Sequence, residues 1–107
     1  MIWQVDYSND AEQDLIDIYS YIADVLLMPE TAEQQIDRIM NAADLLEQLP
    51  FRYRLFDKEL WHTSGLRVLP VDNYLVLYLP DETKHIVTII RIIYGGRDVE
   101  KYLPKEV

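Results

Sequence analysis

The side chains best suited to chemistry in this sequence lie after residue 50. Phe51 to Gly65 reads FRYRLFDKELWHTSG, in which Arg52, Arg54, Lys58 and His62 alternate with Phe51, Tyr53, Phe56 and Trp61. Interleaved cations and rings of this kind can hold phosphates and stack bases. The plainer reading is a connector whose rings cap the core while its charges face water. Further on, His85 to Asp98 reads HIVTIIRIIYGGRD, an apolar run that stops at two glycines, an arginine and an aspartate. Arg91 sits inside that run. A cation there has to meet a carboxylate, reach the strand end or face a wet groove, because an unpaired buried charge is costly. Function is therefore expected near where this strand runs out.

Other chemistries fall away on residue type and spacing. Gly65, Gly95 and Gly96 fit neither a Walker nor a dinucleotide-binding pattern. His62 and His85 are the only histidines and neither has a second ligand at helical spacing, so a zinc site is not expected. Ser8, Ser20 and Ser64 have no nucleophile-elbow sequence around them. The absence of cysteine excludes disulfides and thiol nucleophiles and suits a reducing compartment. The acid pairs fall on a helix face and read as solvated charge rather than a glycosidase dyad. No cofactor is expected.

The formal charge of −9 is unevenly placed. Residues 1–50 hold eleven Asp and Glu against Arg38 alone, whereas residues 51–107 hold eight acids against nine Lys and Arg. The acidity belongs to the first half, and the second half can still present a basic surface. The opening MIWQVDYSND has no basic region and no apolar core of a signal peptide, and no run approaches the ~20 apolar residues of a membrane helix. The chain reads as one cytoplasmic domain over residues 1–107.

The elements that must position these groups follow from periodicity. Ile2 to Tyr7 alternates and predicts a half-buried strand. Ser8 is a good N-cap, and Ala11, Leu15, Ile18, Ile22 and Val25 recur at helical spacing with Asp14, Asp17 and Asp24 on the other face, predicting a helix over about Asn9 to Leu26. Tyr19 and Tyr21 flank the stripe as packing residues. Pro29 opens a second helix with Ala32, Ile36, Ile39, Ala43 and Leu46 as its stripe, widened by Met40 and Leu49, and Pro50 ends it. Two helices this close form an antiparallel hairpin. Leu66–Pro70, Tyr74–Leu79 and Ile86–Tyr94 are strands separated by turn residues, so they form an antiparallel meander. The β-branched run of the last, apolar on both faces of its alternation, marks a central strand covered on both sides. Asp98 can cap a helical turn over Val99 to Leu103. The sum is α+β: an N-terminal strand, an αα-hairpin, a three-stranded meander and a short C-terminal segment.

Several stretches together resemble the RelE/ParE superfamily of toxins from bacterial type II toxin–antitoxin modules. They are VDYSNDAEQDLIDIYSYIA, PETAEQQIDRIMNAADLLEQLP, GLRVLPVDNYLVLYLPDE and VTIIRIIYGGRD, and they cover residues 2 to about 103. The most specific pieces are Leu66-Arg67, Asn73-Tyr74 with Tyr78, and Arg91-Ile92 with Arg97-Asp98. The resemblance implies a growth-inhibitory toxin, of the kind associated with plasmid stabilisation, held by a cognate antitoxin in a hetero-oligomer. It implies either of two activities. ParE-like members poison DNA gyrase without a catalytic constellation, and the RIIYGGRD ending is closer to these. RelE-like members are metal-independent endoribonucleases that cut mRNA on the ribosome. For that activity the resemblance points to Arg67 and Arg97 as phosphate ligands, Tyr94 at a position used for acid–base work, and Tyr102 near a tail tyrosine of RelE. Departures from RelE are Leu75, where RelE places a catalytic arginine, and the missing paired lysines before Leu66-Arg67, for which only His62 is offered. The acidic charge leaves a third reading, a non-toxic relative that keeps only the antitoxin-binding surface.

Overall fold

The computed structural model describes residues 2–57, 59–96 and 99–103. Strand β1 (Gln4–Tyr7) leads into helix α1 (Asn9–Ser20), which continues as a π-helical turn over Tyr21–Val25. Helix α2 (Pro29–Asp44) returns and tightens into a 3-10 turn at Leu45–Glu47. A short helix α3 (Glu59–Ser64) precedes strands β2 (Arg67–Val71), β3 (Tyr74–Asp81) and β4 (Ile86–Tyr94), and a 3-10 turn covers Val99–Tyr102. The expected α+β layout holds.

The four strands form one sheet in the order β1-β4-β3-β2. The meander is antiparallel, with Arg67 opposite Tyr78 and Tyr74 opposite Tyr94, and β1 joins β4 in parallel, Gln4 beside Ile86 and Tyr7 beside Ile89. β4 is therefore central, and both of its faces are covered. On one face Val87, Ile89 and Ile92 pack with Val76 and Tyr78 beneath Ala11, Ile39, Ala43 and Leu46 of the hairpin. On the other, Ile93 joins Leu77, Val68 and Leu66 beneath Trp61 and Leu103. The connector thus contains a short helix, α3, that its residue pattern does not announce. Buried Trp61 and half-buried Phe56 act as caps on the second core. Pro70 is tolerated because β2 is an edge strand, and a missing N–H discourages pairing with another chain there.

Helix α1 starts as its sequence predicts. Ser8 Oγ accepts the Ala11 N–H at 3.0 Å and donates to the Ile90 carbonyl at 2.8 Å, so one hydroxyl caps the helix and closes an open carbonyl on β4. The far end departs from the expected stripe. The Leu26 N–H reaches back five residues to the Tyr21 carbonyl, and this wide turn shifts the helical phase. Val25, expected in the core, consequently stands 64 % exposed. Met40 and Leu49 are exposed as well, because the stripe facing the sheet is narrower than composition suggests. Among the described residues, no helix is long and apolar enough to cross a membrane.

Candidate functional site

A groove of about 790 Å³ lies between the helical hairpin and the ends of β3 and β4. It exists because β1 stops at Tyr7, beside Ile89, while β4 runs on to Tyr94. Side chains from α1 replace the missing strand neighbour. After Ser8 takes the Ile90 carbonyl, Asp14 Oδ2 accepts the backbone N–H of Ile92 at 2.9 Å. The same carboxylate receives Arg91 in a two-point grip, Nε to Oδ2 and Nη2 to Oδ1, each at 2.8 Å. A β-bulge aids this geometry: Leu77 lies opposite Arg91 and Tyr78 opposite Ile89, so Ile90 is the extra residue that breaks the alternation. Arg91 has found its carboxylate. Asp14 is not the solvated acid that its helix position suggests, since only 9 % of it is exposed.

Past this ion pair the groove is lined by Ile18, Tyr21 and Leu26 from the first half of the hairpin, by Thr31 and Gln35 from α2, and by the strand ends. Tyr74 and Tyr94 form its sheet-side wall, edge to face at 5.7 Å between ring centroids. The β2–β3 turn is held against α2 by Asp72, which accepts from Arg38 Nε at 2.8 Å and from Gln35 Nε2 at 3.0 Å. These two hydrogen bonds, Arg38 first, hold the Asp72 carboxyl below the usual carboxylate range.

Arg67 lies elsewhere. Its Nη1 donates to the carbonyls of Phe51 at 2.9 Å and Tyr53 at 2.6 Å, and its guanidinium sits 5.1 Å from the centroid of the Phe51 ring. Its Nε is buried and has no hydrogen-bond partner among the described residues. Beside it the Tyr78 hydroxyl donates to the Pro50 carbonyl at 2.8 Å, and burial pushes that phenol up to about 12. Arg67 and Tyr78 together fasten residues 50–53 to the sheet. A second hollow of about 520 Å³ adjoins them, lined by Trp3, Pro50, Phe51, Arg52, Glu82 and His85 among others. The connector's cations are partly engaged: Arg52 donates to the Tyr53 hydroxyl at 2.7 Å and Arg54 lies 3.6 Å from Asp57.

Of the residues expected to form a site, Tyr94 lines the groove and is 47 % exposed. Arg67 stands two strands away and four residues along β3, roughly 16 Å in backbone separation from ordinary strand spacings. Both lie on the hairpin side of the sheet, with core residues between them. Arg97 and Asp98 lie outside the described residues, as does Lys58; Tyr102 ends the last 3-10 turn and its side chain also lies outside them. Among the described residues no cluster of His, Cys, Asp or Glu could hold a metal. Sequence reasoning missed Asp14 and the groove itself. The available signal was Arg91, which required an acid from somewhere, but not from which helix position.

Comparison with known proteins agrees with this architecture. No curated protein matches the sequence. A ParDE toxin–antitoxin system of P. aeruginosa contains a chain of similar fold, with a TM-score of 0.71 and 21% identity, covering 87% of this chain and 96% of that one. The RelBE2 toxin–antitoxin complex of Mycobacterium tuberculosis contains another, with a TM-score of 0.62 and 21% identity over 88% of this chain and 99% of that one. A mutant of the E. coli toxin RelE in the free state matches with a TM-score of 0.64 and 12% identity over 95% and 94%. The family model for the ParE toxin of the type II toxin–antitoxin system parDE matches residues 5–99, nearly the whole length. The chain belongs to the ParE toxin family of type II toxin–antitoxin systems.

Proposed function

We propose that this toxin arrests growth without cleaving RNA, by poisoning DNA gyrase, and that a cognate antitoxin silences it by seating a segment in the groove beside Tyr94. The observation that carries the first part is the state of Arg67. Its Nη1 hydrogens go to two backbone carbonyls and its plane rests on a ring face, a structural role that fixes the guanidinium beside residues 51–53 and away from Tyr94. Leu75, at the position where RelE-like cleavage would want an arginine, packs against the second core instead. General acid–base cleavage needs its groups around one phosphate within hydrogen-bond reach. Arg67 and Tyr94 are too far apart for that.

The alternative is a ribosome-dependent endoribonuclease that uses Tyr94, Arg97 and Tyr102 with Arg67. One observation favours it: the exposed Tyr94 stands at the strand end with its ring at the mouth of a groove. Expression of the chain alone separates the readings. Gyrase poisoning gives growth arrest, a DNA-damage response and mRNA with intact 5′ ends. Cuts within codons would establish the nuclease. Normal growth at confirmed expression would mean a relative that only binds an antitoxin.

A further inference from the structure

We infer that the groove selects a cationic amphipathic segment, one whose apolar side chains enter between the hairpin and the strand ends while Lys or Arg side chains meet an acidic rim. This rests on the reading of the groove as the antitoxin's seat and specifies the chemistry of what sits there.

The groove is largely apolar inside, and the helical hairpin that forms one of its walls is acidic. Asp14 is neutralised by Arg91, so the interior is electrically balanced. Asp17 lines the mouth, and Asp10, Asp24 and Glu30 are exposed on the same hairpin. Against these, Arg38 is the only Lys or Arg in residues 1–50, and it is engaged by Asp72.

The hairpin tip supplies the apolar half. Val25, Leu26, Leu27 and Met28 form an exposed apolar run on an otherwise acidic element, and Leu26 and Met28, with exposed Tyr21, line the groove. Contiguous apolar surface rimmed by charge marks an interaction site. Leu27 strengthens the point: it is 78 % exposed and holds φ of 57°, a backbone region that leucine enters at a cost. Folding gains little from a leucine there.

Charge complementarity decides the occupant. A second copy would bring one acidic face against another, whereas a cationic segment gains from every rim carboxylate and is drawn to the face at long range.

The test uses two peptides of about 14 residues, four helical turns, with leucines on one face and either lysines or glutamates on the other. Each is titrated into the full chain while backbone amide signals are followed. The lysine peptide is expected to bind with shifts at Ile18, Thr31 and Tyr94, and at least about tenfold more tightly than the glutamate peptide. Its affinity should fall several-fold from about 50 to about 500 mM salt, and again in an Asp17→Asn/Asp24→Asn variant. Leu26→Ser should weaken it without moving the thermal midpoint. Equal binding of the two peptides, shifts centred on Phe51 to Arg54, or self-association of the free chain through the same amides would each overturn the inference. Neutralisation of toxicity by the product of the neighbouring gene is a separate readout. If it holds while the glutamate peptide wins, the antitoxin reading stands and only the sign of the partner is wrong.

Discussion

Asp14 carries more of this structure than its place on a polar helix face suggests. It receives both prongs of Arg91 and a strand amide that has no strand neighbour, so one carboxylate joins α1 to the central strand. Asp14→Ala would remove the carboxylate that grips the part-buried Arg91 and leave the Ile92 N–H without its acceptor, and is expected to cost about 3 kcal/mol of unfolding free energy in urea titrations. Adding Arg91→Met should restore part of that, but not all, because the Ile92 N–H still lacks an acceptor. Arg67 and Arg97 should separate in the same kind of experiment. Arg67→Met loses two hydrogen bonds to carbonyls from a charged donor and should lower stability by roughly 2 kcal/mol. Arg97→Ala is expected to weaken toxicity with the thermal midpoint almost unchanged; a large drop in the midpoint would assign it a structural role. Tyr78 adds a pH signature. Its folded phenol titrates at about 12, chiefly because burial disfavours the charged form. An unfolded tyrosine ionises near 10. The stability tied to the neutral phenol is thus complete below pH about 10 and is lost as pH rises from there through the folded value. Denaturation curves of the wild type and Tyr78→Phe at rising alkaline pH should show a shallower loss in the variant.

Elements were legible in the sequence wherever local pattern and tertiary demand agree. The Ser8 cap, the Pro29 start, the strands of the meander and the two-sided burial of β4 all follow from residue type and period. Three features did not follow. Helix α3 is short and its sequence mixes charges with aromatics, so period alone could not distinguish it from a loop. The π-helical turn comes from backbone hydrogen bonds that no side-chain period records, and it moves Val25 out of the core. The Asp14–Arg91 pair spans 77 residues, and only the fold brings its halves together. The same hairpin tip gives a prediction at this scale. Leu27→Gly relieves a left-handed backbone at an exposed corner and should raise unfolding free energy by up to about 1 kcal/mol. Unchanged or lower stability would mean that the leucine packs usefully in the free protein.

At the scale of the molecule, two surfaces divide the work. The acidic hairpin and its groove face one way, and the sheet's far face is closed by α3 and the last 3-10 turn. Eleven acids against one basic residue in the first half make that half self-repulsive, so added salt should raise the thermal midpoint while weakening a cationic partner. Arginines 67 and 91 both hold parts of the fold together, and the proposed gyrase poisoning requires neither of them at a scissile phosphate. The most direct test is a cleavage assay with purified toxin, purified gyrase and supercoiled plasmid, stopped with detergent. The account predicts linear DNA with gyrase covalently attached, in proportion to toxin and absent without gyrase. Undamaged plasmid at saturating toxin, alongside within-codon mRNA cuts on purified ribosomes, would contradict it.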